Sequence, residues 1–269
     1  MSIYDFTLSD EEIFQYREQG FLVPSFRFST QQISMMRDAY DKLLAQNPTI
    51  ASDLMLGPHA TKPGAQGLKG SSIWFDFATH PDLLDIAQQL IGQDLILWAT
   101  TIWGKPAHSG KETPWHQDGD YYPIKPMETV TIWIPLDDAT VANGCMQFIP
   151  GSHKAKEILS HHWDHSDQIS VHQILNSEQF DERSAIDHEL KAGQVSFHDV
   201  HLIHRSGPNR SNKRRAALAV RLMPGYCYFD HDLGKEKERP HRHHDYGARP
   251  LYLLRGQDRT GRNNFEVGR

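Results

Sequence analysis

Cysteine is scarce in this chain of 269 residues, which contains only Cys145 and Cys227. Two cysteines so far apart cannot build a disulfide scaffold or a thiolate zinc site, so any metal must be held by nitrogen and oxygen. Long apolar runs are also missing, because no stretch approaches the roughly 18 consecutive apolar residues that span a bilayer. The acidic start MSIYDFTLSDEE is unlike a secretory signal. We therefore expect a cytoplasmic protein without a membrane partner.

Positive charge is in short supply as well, since 28 lysines and arginines stand against 34 aspartates and glutamates, a net charge of −6. Proteins that wrap a phosphate backbone carry a basic surplus, so we expect a small-molecule substrate and no nucleic-acid partner. No feature of the sequence indicates the oligomeric state. Histidine is abundant, with 17 residues, which points to metal or acid–base chemistry.

The first third of the chain carries the signals of helices. Ser9 and Ser29 each begin a capping box, with Glu or Gln three residues later. Pro81 in a first turn and Gly92 just beyond the last apolar residue bound a third helix. Residues 1–93 therefore predict a mainly helical flank. The stripe of apolar residues after Ser29 follows a 3.6-residue period: Ile33, Met36, Tyr40, Leu43 and Leu44.

From about Asp94 the apolar period changes to two, which predicts short strands separated by Gly, Pro, Asn and Ser. This pattern indicates a mainly β protein with flanking α-helices and a jelly-roll core over 94–223. Residues 224–269 would form a lid and C-terminal segment, so we expect one domain over 1–269. The predicted strand segments are Leu95–Ile102, Thr129–Leu136, Cys145–Ile149, Ile169–Ile174, Gln194–His198 and Arg215–Met223.

His116 and Asp118 form the first candidate metal-binding pair. Residues two apart on an extended strand project to the same face, so one imidazole nitrogen and one carboxylate oxygen can meet at one point. Such a pair is half of the 2-His-1-carboxylate triad that holds non-haem Fe(II) with three open positions. In a chain with 17 histidines, a polar strand end formed by chance is the alternative.

The second candidate segment contains His204, Ser206 two residues later, a turn, and Arg215 eleven positions after the histidine. The turn predicts that a strand beginning at Arg215 runs back beside the strand that ends at His204. Residues 215, 217, 219 and 221 would share one face, with two alanines leaving room for a ligand. A guanidinium on that face is suited to bidentate capture of a carboxylate.

Three segments together resemble the phytanoyl-CoA dioxygenase family of Fe(II)/2-oxoglutarate oxygenases: 116–118, the loop 143–153, and 204–215. The resemblance implies a double-stranded β-helix fold with Fe(II), 2-oxoglutarate and O2. It also implies that His116, Asp118 and His204 bind the iron. Arg215 would bind the distal carboxylate of 2-oxoglutarate, assisted by Ser206. Substrate would be hydroxylated with release of succinate and CO2, and the carboxylate at 118 favours hydroxylation over halogenation.

Two other histidines compete with His204 for the distal ligand position. His198 would face the same side of a regular strand and His201 the opposite side. The spacing to Arg215 and the following Ser206 favour His204. His198 is then a neighbour of the site or a substrate contact, and His201 an ordinary hydrogen-bonded histidine.

Further candidates surround these residues. For the cosubstrate pocket they are Lys105, Thr131 and Trp133. The alternative for Lys105 is a solvated lysine at a strand end, and the alternative for Thr131 and Trp133 is a position on the more polar face of a sheet. For substrate they are Tyr121, Tyr122, His198, Arg27, Asn263 and Asn264, and core packing of one tyrosine is the alternative.

The late part of the chain is rich in histidine and arginine. The run Pro240-His241-Arg242-His243-His244 within 240–249 is more typical of solvated surface than of a second metal site. Arginines that could bind an anion accumulate there: Arg242, Arg249, Arg255, Arg259, Arg262 and Arg269.

These arginines favour a small anionic metabolite as substrate, such as an organophosphonate or an amino-acid-like compound. One alternative is an acyl-CoA or other lipid-like substrate. Two further alternatives are a non-catalytic jelly-roll protein that binds metal or a 2-oxo acid, and a cupin-like metalloenzyme that does not use 2-oxoglutarate.

Overall fold

The computed structural model describes residues 5–62, 64, 66–235 and 246–268. Its α-helices are α1 Asp10–Gln19, α2 Thr30–Gln46, α3 Ile73–Ala78, α4 Pro81–Ile91 and α5 His231–Lys235. Its strands are β1 Phe21–Leu22, β2 Met55–Leu56, β3 Leu95–Lys105, β4 Thr113–His116, β5 Ile124–Lys125, β6 Val130–Pro135, β7 Met146–Phe148, β8 His161–Trp163, β9 Gln173–Leu175, β10 Ile186–His188, β11 Ser196–Asp199, β12 His204–Ser206, β13 Arg215–Pro224, β14 Tyr228–Phe229 and β15 Tyr252–Arg255.

The helix starts predicted from the capping boxes are confirmed. The Ser9 and Ser29 hydroxyls accept from the backbone N–H three residues on, and the side chains there reach back to the cap. The helix from Pro81 to Gly92 is confirmed as α4. The short α3 was not predicted, and its N-cap residue Ser72 makes no side-chain cap hydrogen bond.

A seven-stranded antiparallel sheet forms the larger layer, in the order β1-β11-β6-β13-β3-β15, with β2 also paired to β3. A second sheet has the order β10-β7-β12-β4. Two further two-stranded sheets, β14-β5 and β8-β9, stand apart from both. Two antiparallel sheets with helices outside match the predicted jelly-roll architecture.

The two faces of β13 are used differently, as the alternation predicted. Leu218, Val220 and Leu222 pack in the main hydrophobic core together with side chains of α2 and α4. Ala217 and Ala219 face the other way and pack between the sheets with Trp133 and Phe148. The helices therefore cover one face of the large sheet and leave its opposite face for the site.

Three local predictions were wrong. The strand that begins at Arg215 does not pair with the one at His204, because β13 pairs with β3 and β6 while β12 pairs with β4 and β7. The 204–215 turn instead carries the chain from one sheet to the other. Asp118 lies in a 3-10 turn, Asp118–Tyr121, beyond the end of β4. The strand predicted over 169–174 is confined to Gln173–Leu175.

In the described ranges, none of the helices combines the length and the apolar character that a bilayer crossing requires.

Candidate metal centre and cosubstrate pocket

His116, Asp118 and His204, called here the triad, come together between the two sheets. His116 ends β4 and pairs in register with His204, which begins β12. Gln117 is still extended, so Asp118 turns its side chain to the same side as His116. One ligand atom from each residue lies within 4.8 Å of the others, and all three residues are buried. This donor set and spacing suit one non-haem iron ion.

Backbone carbonyls fix the orientation of both triad imidazoles. His116 Nδ1–H donates to the Pro114 carbonyl oxygen at 2.8 Å, and His204 Nδ1–H donates to the Leu202 carbonyl oxygen at 2.9 Å. Since a carbonyl only accepts, Nε2 of each ring keeps its lone pair for a metal. Burial lowers the pKa of both imidazoles, that of His204 well below its usual value, so both are neutral ligands.

Asp118 is held by two neighbours on the large sheet. Thr131 donates to its Oδ2 at 3.0 Å, and Arg221 Nη2 lies 3.7 Å from its Oδ1. Burial opposes ionisation of Asp118, but the Arg221 guanidinium together with the neighbouring His198 and His204 outweighs burial and keeps the carboxyl pKa well below its ordinary value. Arg221 was not predicted as a site residue, although the alternation of β13 placed it on the face of Arg215.

Arg215 is buried at the other end of this face of β13. Its Nη2 donates to the Gly144 carbonyl oxygen at 2.7 Å and contacts Ser206 Oγ at 3.4 Å. Its Nε and Nη1 have no hydrogen-bond partner within the described part of the chain. Burial lowers the pKa of Arg215 only to about 10, so it stays cationic at neutral pH. Unpaired buried N–H groups on a cation fit an incoming carboxylate.

Lys105 and Trp133 complete this end of the site. Lys105 Nζ donates to the carbonyl oxygens of Ser206 at 3.1 Å and Gly207 at 2.6 Å. Burial, followed by the charge of Arg215, lowers the pKa of Lys105 well below its ordinary value. The Trp133 ring lies 5.3 Å from the Arg215 guanidinium carbon. One cavity, called here the triad pocket, is lined by the triad together with Lys105, Thr131, Trp133, His198, Ser206, Arg215 and Arg221.

Comparison with protein families identifies the chain. A family model described as phytanoyl-CoA dioxygenase (PhyH) matches residues 16–217. The chain belongs to the phytanoyl-CoA dioxygenase family. The probable phytanoyl-CoA dioxygenase of Caenorhabditis elegans is 27% identical over 247 residues, covering 84% of this chain and 76% of that protein. The peroxisomal phytanoyl-CoA dioxygenase of Bos taurus is 27% identical over 252 residues, covering 86% and 73%.

A third relative carries a different name. The probable alpha-ketoglutarate-dependent hypophosphite dioxygenase of Stutzerimonas stutzeri is 26% identical over 228 residues, covering 80% of this chain and 77% of that protein. The relatives of this chain are thus named for substrates of very different size.

Solved structures share the fold of this phytanoyl-CoA dioxygenase family member. The apo non-heme monooxygenase ThoJ aligns with a TM-score of 0.70 and 24% identity, covering 91% of this chain and 84% of that one. EvdO2 from Micromonospora carbonacea var. aurantiaca, complexed with 2-oxoglutarate, aligns with a TM-score of 0.65 and 23% identity, covering 83% and 94%. The fold is therefore the double-stranded β-helix of 2-oxoglutarate oxygenases.

Family membership and the buried triad make this protein a non-haem Fe(II)/2-oxoglutarate-dependent oxygenase that acts on a small-molecule substrate. Iron and 2-oxoglutarate are its cofactor and cosubstrate, and the residues present fit both. The triad offers two neutral imidazoles and one carboxylate, and Arg215 offers unpaired donors beside them.

Neither of the two competing histidines belongs to the cluster of three possible ligands. His198 Nε2 is 3.7 Å from Asp118 Oδ2, and neither ring nitrogen has a hydrogen-bond partner in the described residues. His201 Nδ1 lies 3.0 Å from Asp199 Oδ1, so it is hydrogen-bonded in the way expected of a histidine outside the site.

The candidate substrate residues divide into two groups. Tyr121 and Tyr122 line a second cavity next to the triad pocket, and Tyr122 also packs against Trp98 with ring centroids 4.4 Å apart. The structure does not bring the other candidates to these cavities, because Arg27, Asn263 and Asn264 line neither of them.

Each of these three side chains forms hydrogen bonds within its local structure. The Arg27 guanidinium donates to the carbonyl oxygens of Pro24 and Phe26. Asn263 donates to the Cys227 carbonyl oxygen and accepts from the Phe229 N–H, and so ties the C-terminal segment to β14. The Asn264 side chain accepts from a backbone N–H two residues on.

Three of the four late arginines within the described residues are engaged elsewhere too. Arg255 pairs with Asp85, Arg259 pairs with Asp94 at 2.7 Å, and Arg262 stacks on Tyr228. Of those described, only Arg249 lines the second cavity. Arg242, Arg269 and the run 240–244 lie outside the described residues.

Proposed function

We propose that this oxygenase hydroxylates a C–H bond of a small, anionic metabolite, either an organophosphonate or an amino-acid-like compound. His116, Asp118 and His204 hold the iron. The cosubstrate binds in the triad pocket against Arg215 and Ser206, with Lys105, Thr131 and Trp133 around it. The observation that carries the proposal is the pair of unpartnered nitrogens, Nε and Nη1, on buried Arg215, beside a triad whose free ring nitrogens converge.

The chain's own residues orient the reactants and exclude water. When bound, iron and 2-oxoglutarate supply the oxidising chemistry from O2, and succinate and CO2 are the by-products. The backbone acceptors of His116 and His204 keep both rings aimed at one point. Thr131 and Arg221 hold the carboxylate of Asp118. The apolar walls between the sheets keep bulk water from the site.

A small anion is supported by the size and charge of the adjoining cavity. Its volume of about 450 Å³ suits a metabolite of modest size. Two arginines, Arg221 and Arg249, line it. The relative named for hypophosphite, a small anion, agrees with this choice.

An acyl-CoA or other lipid-like substrate is the second candidate. It is favoured by the names of the Caenorhabditis elegans and Bos taurus relatives. A non-catalytic 2-oxo-acid binding protein is disfavoured by the intact triad.

We also propose that the described residues form one dioxygenase domain, since the helices pack on the sheet whose other face lines the site. A reducing compartment such as the cytoplasm agrees with free, buried Cys145 and Cys227.

The test is anaerobic titration of Fe(II) and 2-oxoglutarate into the purified protein, followed by visible spectroscopy. We expect a weak lilac charge-transfer band, because the bound keto acid chelates the metal. His204→Ala should abolish the band, since one of the two imidazole ligands is removed. His162→Ala is the matched control, because His162 is exposed and bonds only to Asn176 among the described contacts. A band of unchanged intensity in His204→Ala would overturn the metal assignment.

A further inference from the structure

The second cavity adjoins the triad pocket, and the two share part of their walls. Asp53, Trp103, Lys111, Ser170 and Arg221 line both. Arg221 also contacts Asp118, so this cavity reaches the residues that surround the iron site. We call it the aromatic cavity.

Six aromatic rings line the aromatic cavity: Trp98, Trp103, Tyr121, Tyr122, Trp163 and Tyr246. Trp98 and Tyr122 meet edge to face, with centroids 4.4 Å apart. Such rings give large apolar contact area with little loss of side-chain entropy, which suits a flat or aliphatic carbon skeleton.

One cation at the aromatic cavity, Arg249, has no carboxylate partner among the described residues. The Arg249 guanidinium carbon lies 4.6 Å from the Tyr246 ring centroid and 6.0 Å from that of Trp98. Among the described residues, no Asp or Glu forms an ion pair with it. The other cations at the cavity are paired, because Lys111 lies 3.4 Å from Asp53 and Arg221 lies 3.7 Å from Asp118. Burial and then the nearby Arg221 lower the pKa of Arg249, and an added anion would relieve both effects.

Neutral donors at the same cavity also lack acceptors. The indole N–H of Trp98, which is 1% exposed, has no hydrogen-bond partner in the described part of the structure. The buried Tyr122 hydroxyl has none either. An indole nitrogen can only donate a hydrogen bond, so the Trp98 N–H would be satisfied by an acceptor atom on the ligand. Unpartnered buried donors beside an uncompensated guanidinium select an anion over a neutral or cationic ligand.

We propose that the aromatic cavity is the substrate site and takes a compact organic anion. Its carboxylate or phosphonate group binds Arg249, and its carbon skeleton lies along the aromatic walls toward Arg221 and the triad. This assignment rests on the proposed function and makes it specific, because the anionic end of the substrate is the end distant from the carbon that reacts.

The test is calorimetric binding of defined probes to the enzyme loaded anaerobically with Fe(II) and 2-oxoglutarate. Phenylacetate and benzylphosphonate are the anionic probes, phenylacetamide is the neutral one and phenethylamine the cationic one. We expect the anions to bind at least about 10-fold more tightly than phenylacetamide, because a charge-assisted hydrogen bond is lost in the amide. Phenethylamine should bind more weakly still.

Arg249→Gln should weaken binding of both anions by about 10- to 100-fold and leave phenylacetamide unchanged. Arg249→Lys keeps the charge and should retain part of the affinity, which also guards against a loss caused by misfolding of the glutamine variant. Arg262→Gln is the matched control, because Arg262 stacks on Tyr228 away from the cavity and should leave all Kd values unchanged.

Equal binding of phenylacetate and phenylacetamide, absence of anion binding, or undiminished anion binding in Arg249→Gln would each overturn the proposal. The lilac band reports separately on the proposed function. If the band forms while the anions fail to bind, the substrate assignment is wrong and the oxygenase assignment stands. If no band forms, the metal and cosubstrate assignments are wrong, and the substrate assignment that rests on them falls with them.

Discussion

Arg215 is the residue whose removal should affect the cosubstrate most directly. We expect Arg215→Gln to weaken 2-oxoglutarate binding at least about 100-fold, because a buried carboxylate then loses its cationic partner. Iron binding should persist, since the triad is untouched. Titration of 2-oxoglutarate against the charge-transfer band measures the effect. Arg214→Gln is the control, because Arg214 pairs with Asp41 and Asp137 at the surface. Equal 2-oxoglutarate affinity in Arg215→Gln and the unchanged protein would refute the assignment.

Single residues were predictable where a motif has fixed spacing. The triad and Arg215 were predicted in this way, and the structure brings all four residues to the lining of one pocket. Arg221 was visible only as a member of a strand face, since its contact with Asp118 joins residues from different sheets and loops. Arg249 could not be separated from the other late arginines, because only tertiary structure shows that Arg255 and Arg259 already have carboxylate partners.

The segment between β12 and β13 is the element that links the two sheets. Asn209 is buried within it, donating to the carbonyl oxygens of Lys105 and Lys213 and accepting from Ser211. We expect Asn209→Ala to lower the free energy of unfolding by about 1–3 kcal/mol, because buried backbone acceptors lose their donors. Urea unfolding measures the change. Asn212→Ala, at an exposed position of the same turn, should change stability by less than about 0.5 kcal/mol. Equal losses in the two variants would contradict this role for Asn209.

Elements defined by local signals were predicted better than their pairing. Capping boxes and alternation depend on neighbours in the sequence, and α1, α2 and β13 were recovered from them. A turn signal reports only that the chain reverses. Whether the next strand joins the same sheet depends on distant partners, here β3 and β6 for β13. The predicted pairing of 204 with 215 failed for this reason.

For the whole molecule, Asp199 links stability to pH. Burial raises the pKa of its carboxyl, but hydrogen bonds from His201 and Lys156 and the charge of Lys156 outweigh burial and lower the pKa to about 2. Because the folded-state pKa is below the unfolded value of about 3.9, the stabilisation is complete above pH ~4 and is lost as the pH falls toward 2. Asp199→Asn should therefore cost about 2 kcal/mol at pH 7 and about half of that at pH 3.

Urea unfolding of both proteins at the two pH values measures this difference. Asp38→Asn, on the exposed face of α2, controls for removal of one negative charge. A deficit in Asp199→Asn that is the same at pH 7 and pH 3 would show that the carboxylate is not stabilised in the folded state.

One strand, β13, carries both Arg215 and Arg221 on the same face. Six residues of extended chain set their α-carbons about 20 Å apart, at about 3.3 Å per residue. Pairing with β3 on one edge and β6 on the other fixes this interval. The residues around the two ends of β13 can therefore be substituted independently of each other. We expect substitutions around position 221 to change the substrate preference while the proposed contact with 2-oxoglutarate at position 215 is retained.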